Sequence, residues 1–242
     1  MITILTWFWR QPGGRTQYTP RHVNVWAAMV RRNLRMPHRL ACVTDIPDGI
    51  DRSVDIIAPP REFEDWSLPT WSVRRPQCLR RLSMFAPDAG SIFGDTFVCM
   101  DLDCVVARRL DPLFETAADF QMFRGTARGS PYNGSMIFLR AGARPQVYER
   151  LTIEGATLAG QKFVGSDQAW ISHILGPGEA TWGPEHGCFA YRIDARRPWR
   201  ECRVMFFPGL HKPWLLASDR LKREIAAHYH DEAGQPVAKA VA

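Results

Sequence analysis

Two aspartates separated by one residue, Asp101 and Asp103, lie between apolar runs at residues 97–100 and 104–106. Short apolar runs rich in β-branched residues are typical of buried strands in a parallel sheet. Because side chains alternate along a strand, the two carboxylates are expected to project on the same side. Ionised carboxylates at close range repel each other unless they share a proton, contact an arginine or bind a divalent cation. Their oxygens suit Mg²⁺ or Mn²⁺, which keep positions open for substrate phosphates. A solvated turn is the alternative interpretation of this DxD motif.

The elements ahead of the motif alternate between strand and helix. Residues 2–8, 40–43 and 54–57 are predicted strands. Thr19 and Pro20 predict a helix start, since a hydroxyl residue suits the cap and proline suits the first helical position. The apolar residues of that helix recur at helical spacing: Val23, Trp26, Val30 and Leu34. This order predicts an α/β fold with a mainly parallel sheet.

The elements on either side of the motif are shorter. Further predicted strands cover residues 120–123, 136–139 and 204–207, and further helices cover 77–85, 146–151, 166–174 and 218–229. Asn133 and Gly134 predict a tight turn. No repeat or linker demands an internal boundary, so we expect a single domain over residues 1–217, followed by a C-terminal helix and tail over 218–242.

The amino-acid composition limits which binding partners and which cellular compartment are expected. The chain of 242 residues is 45% hydrophobic and carries a net charge of +6, which indicates a sizeable core and an anionic partner. Its arginines are dispersed and no nucleic-acid motif is present, so no nucleic-acid partner is expected. The six cysteines form no CxxC pair, and Cys42, Cys99 and Cys104 lie in apolar runs. We therefore expect buried free thiols and a cytoplasmic location, with no secretory signal and no transmembrane segment.

Several short motifs follow one another along residues 1–215. They are Cys42-Val43-Thr44-Asp45, Arg81 to Phe85, Asp101-Leu102-Asp103, Tyr132-Asn133-Gly134-Ser135, Ser166-Asp167-Gln168, and Gly209 with Lys212-Pro213-Trp214. In order and spacing they resemble the GT-A fold glycosyltransferases, above all the galactosyltransferase and glycogenin-like group (family 8) and its bacterial relatives. The resemblance implies a Rossmann-like α/β domain with a mixed, mainly parallel sheet flanked by helices.

The same resemblance implies an activity. It is a hexosyltransferase, of the retaining type, that moves a sugar from a nucleotide-sugar donor, by family default a UDP-sugar, to a glycan, lipid or small-molecule acceptor. The implied cofactor is Mn²⁺ or Mg²⁺ bridging the donor diphosphate. Such an ion offsets the negative charge that develops on the leaving nucleoside diphosphate.

The resemblance also assigns roles to residues. Asp101 and Asp103 are the expected metal ligands, with Asp103 the firmer one and Asp101 shared with donor hydroxyl groups. The expected donor contacts are Thr6, Trp7, Asp45, Arg81, Asp101 and Lys212. The candidate catalytic residues, at the donor sugar and acceptor, are Asn133, Asp167 and Gln168.

Each assignment has a structural alternative. Asp45 suits a turn, and Asn133 before Gly134 suits a turn as well. Asp167 is also the carboxylate that a helix start favours. Arg81, with Arg80, is equally consistent with a solvated face.

The third metal ligand departs from the family pattern. The family usually places a metal-binding histidine where this chain has Phe206, and the bacterial relatives tend to place one at Pro208. The segment offers only His211, which is therefore the candidate third ligand. If Lys212 faces the phosphates, His211 is expected to point away, unless a turn at Gly209 reorients it.

Two other classes of protein fit parts of the pattern. A haloacid-dehalogenase-like phosphohydrolase also ends a buried strand with DxD, using the first aspartate as nucleophile. That family places the motif near its N-terminus and needs a later acidic pair, whereas Asp167 here is a single acid. A non-catalytic protein that binds carbohydrate or nucleotide is the second alternative.

Overall fold

The strands of the computed structural model, which describes residues 1–69, 71, 77–216, 221–235 and 237, follow the apolar runs of the sequence. The strands are β1 (Ile2–Phe8), β2 (His38–Thr44), β3 (Asp55–Ile57), β4 (Thr96–Met100), β5 (Cys104–Val106), β6 (Phe120–Arg124), β7 (Tyr132–Arg140), β8 (Ala180–Trp182), β9 (Cys188–Ala190) and β10 (Val204–Phe206). The helices are α1 (Pro20–Asn33), α2 (Ala89–Phe93), α3 (Asp111–Phe114), α4 (Gln146–Glu149), α5 (Ile153–Lys162), α6 (Asp167–Leu175), α7 (Tyr191–Asp194) and α8 (Lys222–His228).

The main sheet has the order β3-β2-β1-β4-β7-β6-β8. Strand β1 is parallel to both β2 and β4, whereas β7 is antiparallel to its neighbours β4 and β6. All seven residues of β1 are buried, as expected for a strand covered on both faces. The predicted α/β architecture with a mainly parallel sheet is confirmed.

Two hydrophobic clusters cover the two faces of this sheet. Ile4 and Phe8 of β1 pack with α1 and the second sheet, whereas Leu5 and Trp7 pack toward α2, α4, α5 and α6. The alternation follows from the period of two along a strand. Helix α1 begins at Pro20, and its predicted apolar face is buried.

A small second sheet places the DxD motif between two sheets. Its order is β5-β10-β9, with β10 antiparallel to β5 and parallel to β9. The chain leaves the main sheet at Met100 and enters the small sheet at Cys104. Asp101 and Asp103 therefore lie in a short connection rather than within one continuous strand.

One local prediction is wrong, and one alternative is excluded. The helix predicted at residues 77–85 is present as a 3₁₀ helix, Leu79–Phe85, with all seven side chains buried, so Arg81 does not lie on a solvated face. Asn133 and Gly134 lie inside β7 rather than in a tight turn, because Asn133 pairs with Phe123 of β6 across a shift of register after Met122 and the N–H of Gly134 donates to Gln168 Oε1. Strand pairing has overridden the local turn preference.

The remaining expectations concern thiols, membranes and the C-terminus. All six cysteines are free, and Cys42, Cys99 and Cys104 are buried as expected. Among the described residues, no helix combines the length and apolarity that a membrane crossing requires. Helix α8 lies beside α1, where Arg32 donates hydrogen bonds to the carbonyl oxygen atoms of His228 and His230. Part of the predicted helix, residues 218–220, lies outside the described residues.

Candidate functional site

The polar residues of the candidate site lie at the carboxyl ends of the parallel strands. Strands β1, β2 and β4 end at the same edge of the main sheet, and β7 begins there because it runs the other way. The backbone N–H of Asp101 donates to the carbonyl oxygen of Ser135 at 2.9 Å. In open α/β sheets, ligands bind outside this edge.

Arg81 connects the elements that meet at this edge. Its Nη1 donates to Asp101 Oδ1 at 3.0 Å, and its Nη2 donates to the carbonyl oxygen of Gly134 at 2.7 Å. Its Nε lies 3.4 Å from Asp167 Oδ2. The guanidinium group thus fixes β4, β7 and the start of α6 relative to one another. The side chain is 7% exposed, so these contacts form in a nearly water-free environment.

The negative charges at this site exceed the positive charges. Burial raises the pKa of Asp101 to about 6, opposed by Arg81 and reinforced by the charges of Asp103 and Asp167. Its side chain is still 28% exposed, so the carboxylate can be reached from solvent. Three carboxylates face the two cations Arg81 and Lys212. The arrangement favours a further cation.

Asp103 has a separate cationic partner. Lys212 Nζ forms an ion pair with Asp103 Oδ2, and both side chains are buried. The Tyr18 hydroxyl also interacts with Asp103, and the pKa of Tyr18 is raised well above its usual value by burial and then by that carboxylate. Tyr18 was not predicted to be near the site, because it precedes α1 and nothing in the local sequence connects it to Asp103.

Aromatic packing holds the segment that carries Lys212. The Trp214 ring lies 4.4 Å from the His22 ring and 6.0 Å from the Tyr229 ring, measured between centroids. Gly209 has a φ of 95°, a left-handed conformation that favours glycine. This turn lets the chain leave β10 and return over Asp103.

Asp167 is placed by the first turn of α6. Its Oδ2 is buried and accepts no hydrogen bond from the described residues, although Arg81 lies nearby. The preceding Ser166 does not cap the helix, because its hydroxyl accepts a hydrogen bond from the backbone N–H of Cys78 at 2.9 Å.

The side-chain amides of Gln168 and Asn133 are both engaged by the protein. Gln168 Oε1 accepts from the N–H of Gly134 at 2.9 Å, and its Nε2 donates to the carbonyl oxygen of Val164 at 2.6 Å. Asn133 donates to Thr126 Oγ1 and accepts from the N–H of Ser135, each at 2.9 Å. These bonds set the backbone of residues 133–135 against α6.

The three residues expected near the base and ribose lie at this edge with different orientations. Thr6 and Trp7 are buried, and Thr6 Oγ1 and Trp7 Nε1 have no hydrogen-bond partner among the described residues. As successive residues of β1, they project to opposite faces of the sheet. Asp45 is exposed, and its Oδ1 accepts from the N–H of Arg10 at 3.3 Å.

His211 lies apart from the aspartates. It is exposed, whereas the neighbouring Lys212 is buried, and its ring centroid lies 5.4 Å from that of Tyr191. Within the described ranges, no three or more His, Cys, Asp or Glu side chains form a group that could hold a metal ion.

Comparison with known proteins identifies the fold. No protein-family model matches the sequence, and no curated protein matches it. Among solved structures, the galactosyltransferase LgtC, in complex with donor and acceptor sugar analogues, matches with a TM-score of 0.57 at 16% identity, over 93% of this chain and 96% of LgtC. The chain has the GT-A fold.

Two further glycosyltransferases share the GT-A fold with this chain. GlyE of Streptococcus pneumoniae matches with a TM-score of 0.62 at 13% identity, over 92% of this chain and 58% of GlyE. The bifunctional glycosyltransferase WbbM matches with a TM-score of 0.57 at 10% identity, over 93% of this chain and 51% of WbbM. The resemblance inferred from the motifs is therefore confirmed at the level of the fold.

Proposed function

We propose that this chain is a glycosyltransferase that moves a sugar from a nucleotide-sugar donor, specifically a UDP-sugar, to an acceptor hydroxyl group. One observation carries the proposal. At the carboxyl edge of a GT-A sheet, Asp101 and Asp103 meet the cations Arg81 and Lys212. A reducing compartment such as the cytoplasm fits the six free thiols.

The two cations have different roles in this proposal. Arg81 is engaged by two carboxylates, by a backbone carbonyl and by Cys99 Sγ at 3.4 Å, so it positions the site rather than binding the donor. Lys212 makes one strong contact, to Asp103, and a long one of 3.4 Å to the carbonyl oxygen of Phe207. Since an ammonium group has three donors, Lys212 retains capacity for a diphosphate.

The donor set at the DxD motif fits Mn²⁺ or Mg²⁺. Both ions take hard oxygen ligands and accept a shell made of one or two carboxylates, substrate phosphates and water. When bound, such an ion supplies charge stabilisation for the departing diphosphate. Because Lys212 already contacts Asp103, an ion held by Asp103 would share that carboxylate with the lysine.

Asp167 is the proposed sugar-binding carboxylate. Its Oδ2 has no hydrogen-bond partner among the described residues, but it is buried beside Arg81 and Gly134, so contact with a sugar hydroxyl group requires the neighbouring residues to move. Gln168 and Asn133 support it by holding the backbone of residues 133–135. The transfer is of a hexosyl group with retention, as the resemblance implies, and no side chain is assigned as a covalent nucleophile.

Calorimetry of UDP binding in Mn²⁺ and in EDTA tests the proposal. We expect the affinity for UDP to be at least about tenfold higher with Mn²⁺, since each charge-assisted contact contributes about 1.5–3 kcal/mol. Equal affinities in the two buffers would remove the ion from the site. Hydrolysis of UDP-sugars, measured as free UDP, then tests the donor class, and no turnover of any UDP-sugar would exclude it.

Substitution of Asp103 needs a matched control. Asp103→Asn alone leaves Lys212 buried without its partner, which destabilises the fold as well as the site. The double variant Asp103→Asn/Lys212→Met removes both charges together. We expect the double variant to fold and to bind UDP equally in Mn²⁺ and in EDTA. A persistent Mn²⁺ effect in this variant would show that Asp103 is not a ligand.

The haloacid-dehalogenase-like alternative finds no support in the described residues. Asp101 is held by Arg81 rather than free to act as a nucleophile. A non-catalytic binding protein would bind UDP without ever releasing free sugar from a UDP-sugar, so the same hydrolysis measurement separates it from an enzyme.

A further inference from the structure

A cavity lies beside the small sheet, and half of its ten lining residues are arginines. Its volume is about 830 Å³. The arginines are Arg108, Arg124, Arg197, Arg200 and Arg203. None of these residues belongs to the DxD site described above, and the cavity has no role in the mechanism proposed there.

Backbone carbonyl groups hold two of these arginines without neutralising them. Arg108 Nη1 donates to the carbonyl oxygen atoms of Trp199 and Cys202, both at 2.7 Å. Arg203 Nη1 donates to the carbonyl oxygen of Arg109 at 2.8 Å. Among the described residues, neither forms an ion pair with a carboxylate, nor does Arg200. The positions of Arg108 and Arg203 are therefore fixed by hydrogen bonds, and the charges of Arg108, Arg200 and Arg203 remain available to a ligand.

The other two arginines share one carboxylate. Arg124 Nη2 lies 2.7 Å from Asp194 Oδ2, and Arg197 Nε lies 3.0 Å from Asp194 Oδ1. Arg124 Nε is buried and has no hydrogen-bond partner among the described residues. Glu185 and Glu201 also line the cavity, and Glu185 contacts His186. Guanidinium groups therefore outnumber carboxylates in this cavity.

This surplus contrasts with arginines elsewhere on the surface. Arg144, for example, is paired with both Asp119 and Glu179. Planar guanidinium groups bind phosphate oxygens through paired hydrogen bonds. Groups already fixed by the fold lose little side-chain entropy when they do so. A concave surface with fixed, unneutralised guanidinium groups suits a phosphate ligand.

One side of the cavity reaches the candidate active site through β6. Arg124 ends β6 and pairs with Tyr132, the residue before Asn133 in β7. The rest of the cavity lies farther away, because Arg108, Gly187 and Arg203 lie beyond Val106, Cys188 and Val204, at the end of the small sheet opposite Cys104. A molecule that lies along the cavity and past Arg124 would extend toward the edge where the sugar is transferred.

We propose that the arginine cavity binds a phosphate group carried by the acceptor. The phosphate belongs either to a soluble phosphorylated sugar or to a lipid that carries the acceptor sugar. The identification with the acceptor rests on the proposed function, but phosphate binding itself does not. The cavity then selects anionic acceptors over neutral sugars.

Titration calorimetry with inorganic phosphate, in the presence of excess UDP, tests the site directly. We expect the double variant Arg200→Gln/Arg203→Gln to weaken phosphate binding by about tenfold or more, because charge-assisted hydrogen bonds are lost. Arg52→Gln, an exposed arginine outside the cavity, is the matched control and should change nothing. An unchanged affinity in the double variant, or no phosphate binding by the wild type, overturns the proposal.

A single variant, Arg200→Gln, separates a loss of phosphate binding from a loss of folding. Arg200 is exposed and forms no ion pair among the described residues, so Arg200→Gln should unfold at the same temperature as the wild type and still bind phosphate more weakly. The cavity variants should bind UDP like the wild type. If the wild type fails to bind UDP, the proposed glycosyltransferase function fails, whereas the phosphate titration still reports on the cavity.

Two further arms identify the source of the phosphate. Glucose 6-phosphate, with glucose as its control, should displace inorganic phosphate if the acceptor is a soluble phosphosugar. Phosphatidylcholine vesicles containing phosphatidic acid should sediment with the wild type, and not with the double variant, if a lipid carries the phosphate. Either result supports the proposal and assigns the source, and failure of both arms overturns the assignment to an acceptor.

Discussion

The Arg81 and Lys212 ion pairs lie at one edge of the sheet but differ in how the fold holds them. Arg81 lies in the 3₁₀ helix Leu79–Phe85 and contacts β4, β7 and α6 at the same time. Lys212 lies in an irregular segment beyond Gly209 and relies on Asp103. The first pair joins three elements of the main sheet and its helices, whereas the second joins an irregular segment to the DxD connection. We therefore propose that donor binding acts on Lys212 rather than on Arg81.

Replacing Arg81 should have the largest effect on stability. Arg81→Met leaves Asp101 and Asp167 without their cation, and uncompensated buried charges cost about 3–5 kcal/mol. The neighbouring Arg80 is the matched control, since it is also buried but donates to the carbonyl oxygen atoms of Pro59 and Pro60 and pairs only with the exposed carboxylate of Glu64. Arg80→Met should cost about 1–3 kcal/mol. Urea unfolding measures both, and equal losses would contradict a scaffold role specific to Arg81.

A fall in pH should destabilise the part of the site that carries Lys212. Burial lowers the pKa of His22 from 6.5 to about 4, and its Nδ1 accepts from the N–H of Thr19 at 3.0 Å. Between these pH values the unfolded chain binds a proton at His22 and the folded chain does not. Stability is therefore lost as the pH falls from 6.5 toward 4, by up to about 3 kcal/mol at one pKa unit per 1.4 kcal/mol.

The control for this pH effect is His22→Gln, which cannot titrate. Urea unfolding at pH 7 and near pH 4 should show a smaller difference in this variant than in the wild type. Because Trp214 packs on His22, hydrogen exchange in residues 208–216 should rise on acidification before exchange in β4 does. An identical pH dependence in wild type and variant would exclude His22 as the cause.

Lys212→Met should lower the stability of the fold less than Arg81→Met does, but it should weaken donor binding. Tyr18 still contacts Asp103, and water can reach the carboxylate when the segment moves, so we expect a loss of about 1–2 kcal/mol. Affinity for UDP with Mn²⁺ should fall about ten- to a hundredfold. Affinity for Mn²⁺ alone should rise, because Asp103 no longer has a competing cation. Lys162→Met is the control, and unchanged UDP affinity in Lys212→Met would remove Lys212 from the donor site.

The sequence predicted the strands better than their connections. Apolar runs such as β1 and β4 are buried on both faces, so their composition alone indicated the sheet. The conformation around Asn133 depended on pairing with β6 across the loop at residues 125–131. The burial of Arg81 depended on α6 and β7, which follow it along the chain. Such contacts are invisible to local periodicity.

The candidate site was likewise predicted only in part from the sequence. Resemblance indicated Asp101, Asp103, Arg81 and Lys212, and the structure brings them together at one edge. It gave no sign of Tyr18, whose hydroxyl reaches Asp103 from the loop before α1. The arginine cavity was also missed, although the sequence has five arginines close to one another, at Arg192, Arg196, Arg197, Arg200 and Arg203. Only the small sheet brings that segment next to Arg108 and Arg124.

His211 should have the smallest effect of the residues predicted at the site. Its ring lies against Tyr191 and is exposed, while the neighbouring Lys212 faces Asp103. With saturating UDP, His211→Ala should change Mn²⁺ affinity by less than about 0.5 kcal/mol, as exposed substitutions commonly do. Asp101 and Asp103, with a diphosphate and water, would suffice for an octahedral ion without a histidine. Manganese titration followed by electron paramagnetic resonance measures this, with Lys162→Met as the control. A loss well beyond tenfold would make His211 the third ligand, and would mean that the segment after Gly209 rearranges when the donor binds.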